Sequence, residues 1–139
     1  MQMSYTKRTD IPNKDEYFIL YETTGWNQNG QLNAEVLYNA IKNSWFIVTL
    51  YDENRLVASG RLVSDGFMQC FICDMIVLPE YQNKGLGKII MDELLQYCIK
   101  RNIYWVQLAC AKGKKPFYEK FGFEERALDA PGMHLFIEI

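Results

Sequence analysis

The sequence predicts a mixed α/β domain in which a largely antiparallel sheet carries helices on both faces. Two β-rich runs flank the turn residues Asp52-Glu53-Asn54, which is typical of an antiparallel hairpin. A strand, an amphipathic helix and another strand follow one another over residues 71–110, which is typical of a βαβ unit with parallel strands. The 139 residues, 49% hydrophobic and 23% charged, fit one globular domain. We therefore expect a mixed sheet in a single domain over residues 1–139.

Two helices are expected before the sheet. Residues 15–21 form a short run that leads into a loop rich in glycine and asparagine at residues 25–30. Residues 32–42 place apolar side chains at helical spacing, and Asn33 is suited to cap the N-terminus of that helix.

The expected strands are rich in β-branched and aromatic residues. Residues 45–51 and 56–63 form the hairpin. Residues 68–78 form a third strand that ends at Pro79, because proline cannot continue a central ladder. Residues 104–110 and 133–139 are expected to form the last two strands.

The strongest helical pattern lies between the third and fourth strands. Over residues 85–101 apolar side chains recur at helical spacing, and charged side chains fill the opposite face. A shorter helix is expected over residues 116–121, with Gly122 at its C-terminal end.

Charge, hydropathy and cysteine content narrow the class of protein. Fifteen Lys and Arg against seventeen Asp and Glu give a net charge of −2, which argues against a nucleic-acid partner. No run approaches the roughly 18 to 20 apolar residues of a membrane span, and no apolar segment follows the basic residues near the start. We therefore expect no membrane partner and a cytoplasmic location. The four cysteines lie in apolar runs and are expected to stay reduced.

Two further patterns do not predict a metal site. Cys70 and Cys73 form a C-x-x-C without a second pair, and residues three apart on a strand point to opposite faces. His134 lacks a Cys or Ser partner pattern, so a structural role is expected for it.

The loop at residues 82–88, between the third strand and the strong helix, carries the main functional signal. Gly85 and Gly87 allow a ligand to approach the backbone closely. The N-terminus of the helix behind them favours a diphosphate, and Lys84 and Lys88 add positive charge. A plain strand-to-helix turn is the alternative interpretation of the two glycines alone.

Two other phosphate-binding motifs do not fit this loop. A P-loop is excluded because Ile89 follows Gly87-Lys88 and position 82 is not glycine. A Rossmann fingerprint is excluded because Ile90 stands at the third glycine position and residues 104–111 contain no carboxylate.

The pattern Gln82-x-x-Gly85-x-Gly87 resembles motif A of the GNAT superfamily of acetyl-CoA-dependent N-acetyltransferases, written Q/R-x-x-G-x-G/A. Residues 116–123, Pro-Phe-Tyr-Glu-Lys-Phe-Gly-Phe, are similar to the family's second signature, in which a Phe-Tyr pair opens a short helix that ends in Gly-Phe. Residues 21–26 and 60–66 are similar to segments of small bacterial members. The resemblance implies the GNAT fold, a mostly antiparallel mixed sheet with a splayed parallel strand pair.

The resemblance implies that acetyl-CoA is the co-substrate. Its pantetheine arm would pair with the backbone of Met75, Ile76 and Val77, where the third strand splays away from residues 104–110. The N–H of Val77 would polarise the thioester carbonyl. The diphosphate would be held by the loop residues that match the motif, namely Gln82, Asn83, Lys84, Gly85, Leu86, Gly87 and Lys88.

The resemblance also implies the reaction, transfer of an acetyl group to an amine by direct attack in a ternary complex. Tyr118 matches the general acid that protonates the departing thiolate, and core packing is its alternative role. Asp74 is the only carboxylate in the strand that would line the cleft, and it is the candidate base. Orientation of neighbouring backbone is the alternative role of Asp74, and a water chain is the alternative base.

Further candidates concern the acceptor amine and the cofactor phosphates. Glu22 is a candidate anion for a protonated amine and Trp26 a candidate aromatic wall, with packing as the alternative for both. Many family members carry a cofactor-contacting Asn seven residues before the Tyr, and Ala111 stands there instead. Nearby lysines either meet the cofactor phosphates or are solvated loop charges: Lys112, Lys114 and Lys115.

We therefore expect an N-acetyltransferase that uses acetyl-CoA and no metal, and that acts on a primary amine of a small molecule rather than of a protein. A homodimer is left open. The alternative from another class is a non-catalytic module that binds acyl-CoA as a sensor or regulator, and a purely structural α/β domain is the third interpretation.

Overall fold

The computed structural model describes residues 4–138, and within them the chain forms a five-stranded sheet with the order β1-β2-β3-β4-β5. The strands are β1 Thr6–Arg8, β2 Phe46–Asp52, β3 Arg55–Ser64, β4 Gln69–Val77 and β5 Trp105–Gln107. The helices in the same residues are α1 Lys14–Glu22, α2 Ala34–Lys42, α3 Leu86–Lys100 and α4 Lys115–Glu119, and a 3-10 turn spans Pro79–Tyr81.

The sheet is mixed. β1 to β4 pair antiparallel with their neighbours, and β4 pairs parallel with β5. The antiparallel hairpin and the βαβ unit that the sequence predicts are both confirmed, and the predicted fold class with them.

The chain divides into two compact units, one up to Gln107 and one from Leu108 onward. The five strands and α1 to α3 belong to the first unit, and α4 belongs to the second. The single domain over residues 1–139 stays a prediction.

Asparagine side chains begin the first two helices. The Asn13 side-chain oxygen accepts hydrogen bonds from the backbone N–H groups of Asp15 and Glu16, at 2.9 and 3.1 Å. Asn33 accepts one from the N–H of Val36 at 2.9 Å. These caps satisfy N–H groups that have no partner within the helix. The predicted capping role of Asn33 is confirmed.

The main core lies between α3 and the sheet. Ile90, Met91 and Leu94 of α3 are fully buried. A Cβ atom on Gly60 of β3 would lie 2.5 Å from Ile90 Cγ2 and 3.1 Å from Leu94 Cδ1, so the missing side chain lets α3 approach the sheet. Arg61, the next residue of β3, points to the other face, because side chains alternate along a strand. α1 packs against β3 and β4.

The structure corrects the predicted strands at three places. β1 was not predicted, because a three-residue strand leaves no pattern in the sequence. The strand predicted over residues 104–110 is shorter, since β5 ends at Gln107, where its pairing with β4 ends.

The last predicted strand, residues 133–139, is wrong for the residues that the structure describes. Residues 133–138 form no strand, and Ile139 lies outside the described residues. Met133, Leu135, Phe136 and Ile137 are 76% to 92% exposed. A pattern of apolar residues gains stability as a strand only where it pairs and packs against a neighbour.

Candidate active site

The parallel pairing with β5 covers only the first part of β4. Pairing with β5 runs from Gln69 opposite Trp105 to Phe71 opposite Gln107 and stops there, while β4 continues to Val77. The pairing therefore ends on the stretch of β4 where the resemblance to the GNAT family implies a splay. The edge of β4 from residue 72 to 77 can therefore offer backbone N–H and C=O groups to an extended ligand, as an added strand would use them.

A β-bulge interrupts β4 in this open stretch. Arg61 of β3 is opposite Cys73, but Ser59 is opposite Ile76, so two residues of β4, Asp74 and Met75, lie opposite one residue of β3. Asp74 has φ of 53°, which is left-handed. A bulge bends its strand and changes which side chains and peptide groups face each edge.

Asp74 is tied to β3 by an ion pair. The Nε of Arg61 donates to Oδ2 of Asp74 at 2.7 Å, and Nη1 of Arg61 donates to Oγ of Ser44 at 3.3 Å. The side chains of Arg61 and Asp74 are only 17% and 23% exposed. Burial acts to lower the pKa of Arg61, but the charge and hydrogen bond of Asp74 outweigh it, so this pKa lies above its usual value.

The charges of this ion pair affect the pKa values of two tyrosines of α1, Tyr17 and Tyr21. Burial raises the pKa of Tyr17, and the negative charge of Asp74 adds to the effect. The pKa of Tyr21 is raised by the same two causes. The N-terminal helix, β3 and the bulge of β4 therefore meet at one place on the sheet.

The N–H of Val77 faces the open edge of β4. The N–H of the next residue, Leu78, donates to the carbonyl oxygen of Val57 in β3 at 2.9 Å. Successive peptide groups of a strand point to opposite edges, so the N–H and C=O of Val77 point away from β3. The C=O accepts a hydrogen bond from Nε2 of Gln82 at 3.1 Å.

The loop after β4 leads into α3, whose N-terminus has no side-chain cap. Asn83 and Gly85 both have left-handed φ, of 63° and 85°. Gly85 is the N-cap of α3 and has no side chain with which to cap it. The first N–H groups of α3 are therefore left for an external acceptor. A Cβ on Gly85 would meet no atom within 4 Å, so there is open space beside this helix end.

Polar and aromatic contacts hold this loop in place. The hydroxyl of Tyr81 donates to Oδ2 of Asp52, which fixes the 3-10 turn to the end of β2. The ammonium group of Lys84 lies 5.4 Å from the centre of the Tyr81 ring. Lys88 is paired with Asp92 one turn further along α3, at 2.7 Å. The predicted cofactor residues of β4 and of the loop thus form one continuous stretch.

The two acceptor-site candidates lie at the C-terminal end of α1 and in the loop after it: Glu22 is the last residue of α1, and Trp26 follows four residues later. Trp26 is 46% exposed, and its ring makes an edge contact with Tyr21 at 5.7 Å between centroids. Nδ2 of the buried Asn27 donates to Glu22 Oε1 at 3.3 Å and to the carbonyl of Leu32 at 2.6 Å. Asn27 thus holds the loop that carries Trp26, a role that no motif in the sequence predicts.

Tyr118 lies in the second unit, on α4. It is 7% exposed and makes edge contacts with the rings of Phe117 and Phe123, at 5.2 and 6.3 Å between centroids. Burial raises the pKa of Tyr118, and Cys110 raises it further. Its phenol is therefore protonated at neutral pH, which a general acid requires. In the same unit Lys115 is paired with Glu125 at 3.1 Å.

Residues 4–138 contain no group of three or more His, Cys, Asp or Glu side chains that could hold a metal ion. No helix in that part of the chain has the length and apolar character needed to cross a membrane.

Comparison with known proteins identifies the family. Residues 11–123 match the family model described as the acetyltransferase (GNAT) family. The chain therefore belongs to the GNAT family, which is a family of acyltransferase enzymes, and this confirms the predicted enzyme class.

Two solved structures are similar over nearly the whole chain. The probable acetyltransferase SA2161 from meticillin-resistant Staphylococcus aureus, named a protein of unknown function, has a TM-score of 0.86 and 30% identity. That match covers 96% of this chain and 100% of the other. The GNAT family acetyltransferase SP0256 from Streptococcus pneumoniae TIGR4 has a TM-score of 0.79 and 33% identity, over 97% and 98% of the two chains.

Among curated relatives, the uncharacterized N-acetyltransferase ycf52 of Porphyra purpurea is 29% identical over 123 residues, 86% of this chain and 69% of its own length. The histone acetyltransferase TAP1 of Glycine max is 30% identical over 82% of this chain and 53% of its own length. The chain thus spans between about half and about two thirds of the length of these relatives.

Proposed function

We propose that the chain transfers the acetyl group of acetyl-CoA to a primary amine of a small molecule, by direct attack in a ternary complex. The observation that carries the proposal is that the unpaired edge of β4 leads, through a loop with left-handed residues, to the start of α3, where Gly85 offers no capping side chain. Acetyl-CoA has a pantetheine arm that can pair with a strand edge and a diphosphate that suits a helix N-terminus. The pantetheine arm and the diphosphate are neighbours in acetyl-CoA, just as the β4 edge and the start of α3 are neighbours in the chain.

Backbone groups carry most of this binding site. The pantetheine arm would lie along Met75, Ile76 and Val77, and the N–H of Val77 points to the open edge, where it would stabilise the thioester oxygen as charge develops. The diphosphate would lie at residues 82–88. A similar fold, the PaiA N-acetyltransferase from Thermoplasma acidophilum, was solved in complex with coenzyme A; it has a TM-score of 0.72 and 19% identity to this chain.

The chemistry requires two proton movements. The amine nitrogen attacks the thioester carbon, the C–S bond breaks, and the nitrogen loses a proton. Tyr118 would give its phenolic proton to the departing thiolate, and its raised pKa keeps that proton available. Asp74 is the proposed base, directly or through water, and it would act from within its ion pair with Arg61.

The acceptor would lie near Glu22 and Trp26. The exposed indole ring of Trp26 suits a protonated amine through cation–π attraction, and the carboxylate of Glu22, four residues earlier in the chain, suits it through ionic attraction. The names of relatives point to different acceptors: TAP1 of Glycine max is a histone acetyltransferase. The glucosamine-6-phosphate N-acetyltransferase of Arabidopsis thaliana, with 20% identity, shares the fold alone. We propose a small-molecule amine, with a homodimer left open.

The cytoplasmic location stays a prediction. One relative, the GCN5-related N-acetyltransferase 2 of Arabidopsis thaliana, is named chloroplastic. Fractionation of cells that express the full chain would test the location.

The experiment that tests the function is thiol release from acetyl-CoA across a panel of primary amines and lysine peptides, with mass spectrometry of the products. We expect turnover with at least one small amine and a product heavier by one acetyl group. Turnover with lysine peptides alone would contradict the small-molecule acceptor. Binding of acetyl-CoA without turnover on any amine would favour the non-catalytic sensor, and no binding would contradict the proposal as a whole.

A further inference from the structure

We propose that Arg61 is a positioning residue for acetyl-CoA, which acts through its ion pair with Asp74 to hold the β4 bulge and the peptide groups beyond it. The inference rests on the proposed function, because it concerns the same edge of β4. It gives a role to Arg61, a mostly buried charged residue to which the proposed chemistry assigns no proton transfer.

The backbone conformation of the bulge at Asp74 has to be stabilised by its surroundings. Asp74 adopts a left-handed φ of 53°, a conformation that residues with a side chain adopt at a cost and retain only where the surroundings hold them. No glycine or proline occurs in β4 to favour an irregular strand.

Arg61 supplies that stabilisation from the neighbouring strand. It lies opposite Cys73, the last residue of β4 before the bulge, and its guanidinium reaches the carboxylate of Asp74 at 2.7 Å. Oγ of Ser44 accepts a second hydrogen bond from the same guanidinium. Because both charged side chains are mostly buried, solvent and salt screen the ion pair weakly.

The bulge matters for binding because it determines which peptide groups of β4 point to the open edge. Without the bulge, the residues of β4 beyond position 74 would pair with β3 one position further along. A shift of one residue turns each of their peptide groups to the opposite edge of the strand. The N–H of Val77 would then face β3 instead of the open edge. The ion pair therefore decides which N–H group meets the thioester.

Three variants test this role. Arg61→Met keeps the length of the side-chain stem and removes the charge, and Asp74→Asn keeps the shape of its partner. Arg8→Met is the matched control, because Arg8 forms an exposed ion pair with Asp10, and the side chains are 53% and 60% exposed. Affinity is measured by titration of each variant with acetyl-CoA in the absence of amine, at a temperature where all are folded.

We expect the Kd for acetyl-CoA to rise roughly tenfold or more in Arg61→Met and in Asp74→Asn, since small misplacements of positioning groups are costly. The double variant should be no worse than either single variant, because both remove the same ion pair. In the ligand-free protein, hydrogen exchange of the amides at residues 74–77 should accelerate, while amides of β2 keep their rates. Arg8→Met should leave both measurements unchanged.

The affinity for acetyl-CoA in the absence of amine distinguishes a positioning role of Arg61 from a catalytic role and from a merely structural one. A general base affects turnover and not the affinity for acetyl-CoA, and a merely structural residue lowers the unfolding temperature without changing Kd. An unchanged Kd in either folded variant, with normal binding by the wild type, would overturn the inference and leave the proposed function intact. No binding by the wild type would overturn the proposed function, and the inference with it.

Discussion

The Nε2–H of Gln82 donates a hydrogen bond to the carbonyl oxygen of Val77 at 3.1 Å, and so ties the loop back to the end of β4. The first residue of the Gln-x-x-Gly-x-Gly pattern therefore contacts the strand rather than pointing freely into solvent. Because the N–H of Val77 shares the edge of its C=O, this hydrogen bond lies beside the N–H that we propose to meet the thioester. The open edge and the loop are thus fixed to each other within one unit of the structure.

Gln82→Ala should weaken acetyl-CoA binding. This hydrogen bond contributes about 1 kcal/mol to holding the loop in its binding geometry, so its loss should raise the Kd by up to about fivefold and lower the free energy of unfolding by about 1 kcal/mol at most. Gln96→Ala, on an exposed position of α3, is the control. Equal affinity of the two variants, measured by calorimetric titration, would contradict a role for Gln82 in ordering the loop.

Tyr118→Phe should slow acetyl transfer while leaving acetyl-CoA affinity unchanged. General acid catalysis contributes on the order of 10²-fold or more, and the variant removes only the phenolic proton. Since burial raises the pKa of Tyr118, the wild-type rate should not fall through loss of the acid until the pH exceeds the usual tyrosine value of 10.0. The rate of thiol release is measured from pH 7 to pH 10 for the variant and for Tyr104→Phe, whose ring is 85% exposed. If Tyr118→Phe released thiol at the wild-type rate, Tyr118 would not be the general acid.

Gly60→Ala should destabilise the fold. The added Cβ would lie 2.5 Å from Cγ2 of Ile90, a branched side chain held in one rotamer by its helix, so the helix or the strand has to move. Overpacking of this kind costs about 1 to 3 kcal/mol in the free energy of unfolding, measured by urea denaturation. Gly132→Ala is the control, because a Cβ there would meet no atom within 4 Å. A Gly60→Ala variant as stable as that control would show that the contact between α3 and β3 is looser than described.

Tyr17→Phe should reduce the loss of stability in alkali. Burial raises the pKa of Tyr17 above the value of 10.0 that it takes in the unfolded chain, and Asp74 raises it further. Above pH 10 the unfolded state loses this proton while the folded state keeps it, so stability is unaffected below pH 10 and falls as the pH rises beyond it. One such group contributes a slope of about 1.4 kcal/mol per pH unit.

Urea denaturation at pH 9, 10 and 11 measures this slope. The wild type and the control Tyr104→Phe should lose more stability between pH 10 and pH 11 than Tyr17→Phe does. Equal slopes in all three proteins would mean that Tyr17 ionises as an exposed tyrosine does.

Local sequence signals predicted most of the fold, because they act within a few residues. Asn33 caps α2 as expected, and the apolar stripe of residues 85–101 forms α3. The loop with Gln82, Gly85 and Gly87 likewise lies between β4 and α3, where its motif predicts it.

The features that were missed depend on partners far apart in the sequence. The bulge at Asp74 is stabilised by Arg61 of another strand, and no residue in β4 signals it. Asn27 resembles any loop asparagine until its hydrogen bonds with Leu32 are seen. The apolar run at residues 133–138 has the composition of a strand but does not form one, because composition does not supply a pairing partner.

The measurement that tests the central proposal most directly is calorimetric titration of acetyl-CoA into the wild type, Gly87→Glu and Gln96→Glu. Gly87 lies in the first turn of α3, and a carboxylate there would compete with a diphosphate for the N–H groups of the helix. Gln96→Glu adds the same charge to an exposed position of the same helix. We predict binding by the wild type and by Gln96→Glu, and a loss of at least about 100-fold in affinity for Gly87→Glu with an unchanged circular dichroism spectrum. Wild-type affinity in a folded Gly87→Glu variant would contradict the proposal, because the diphosphate would then lie elsewhere.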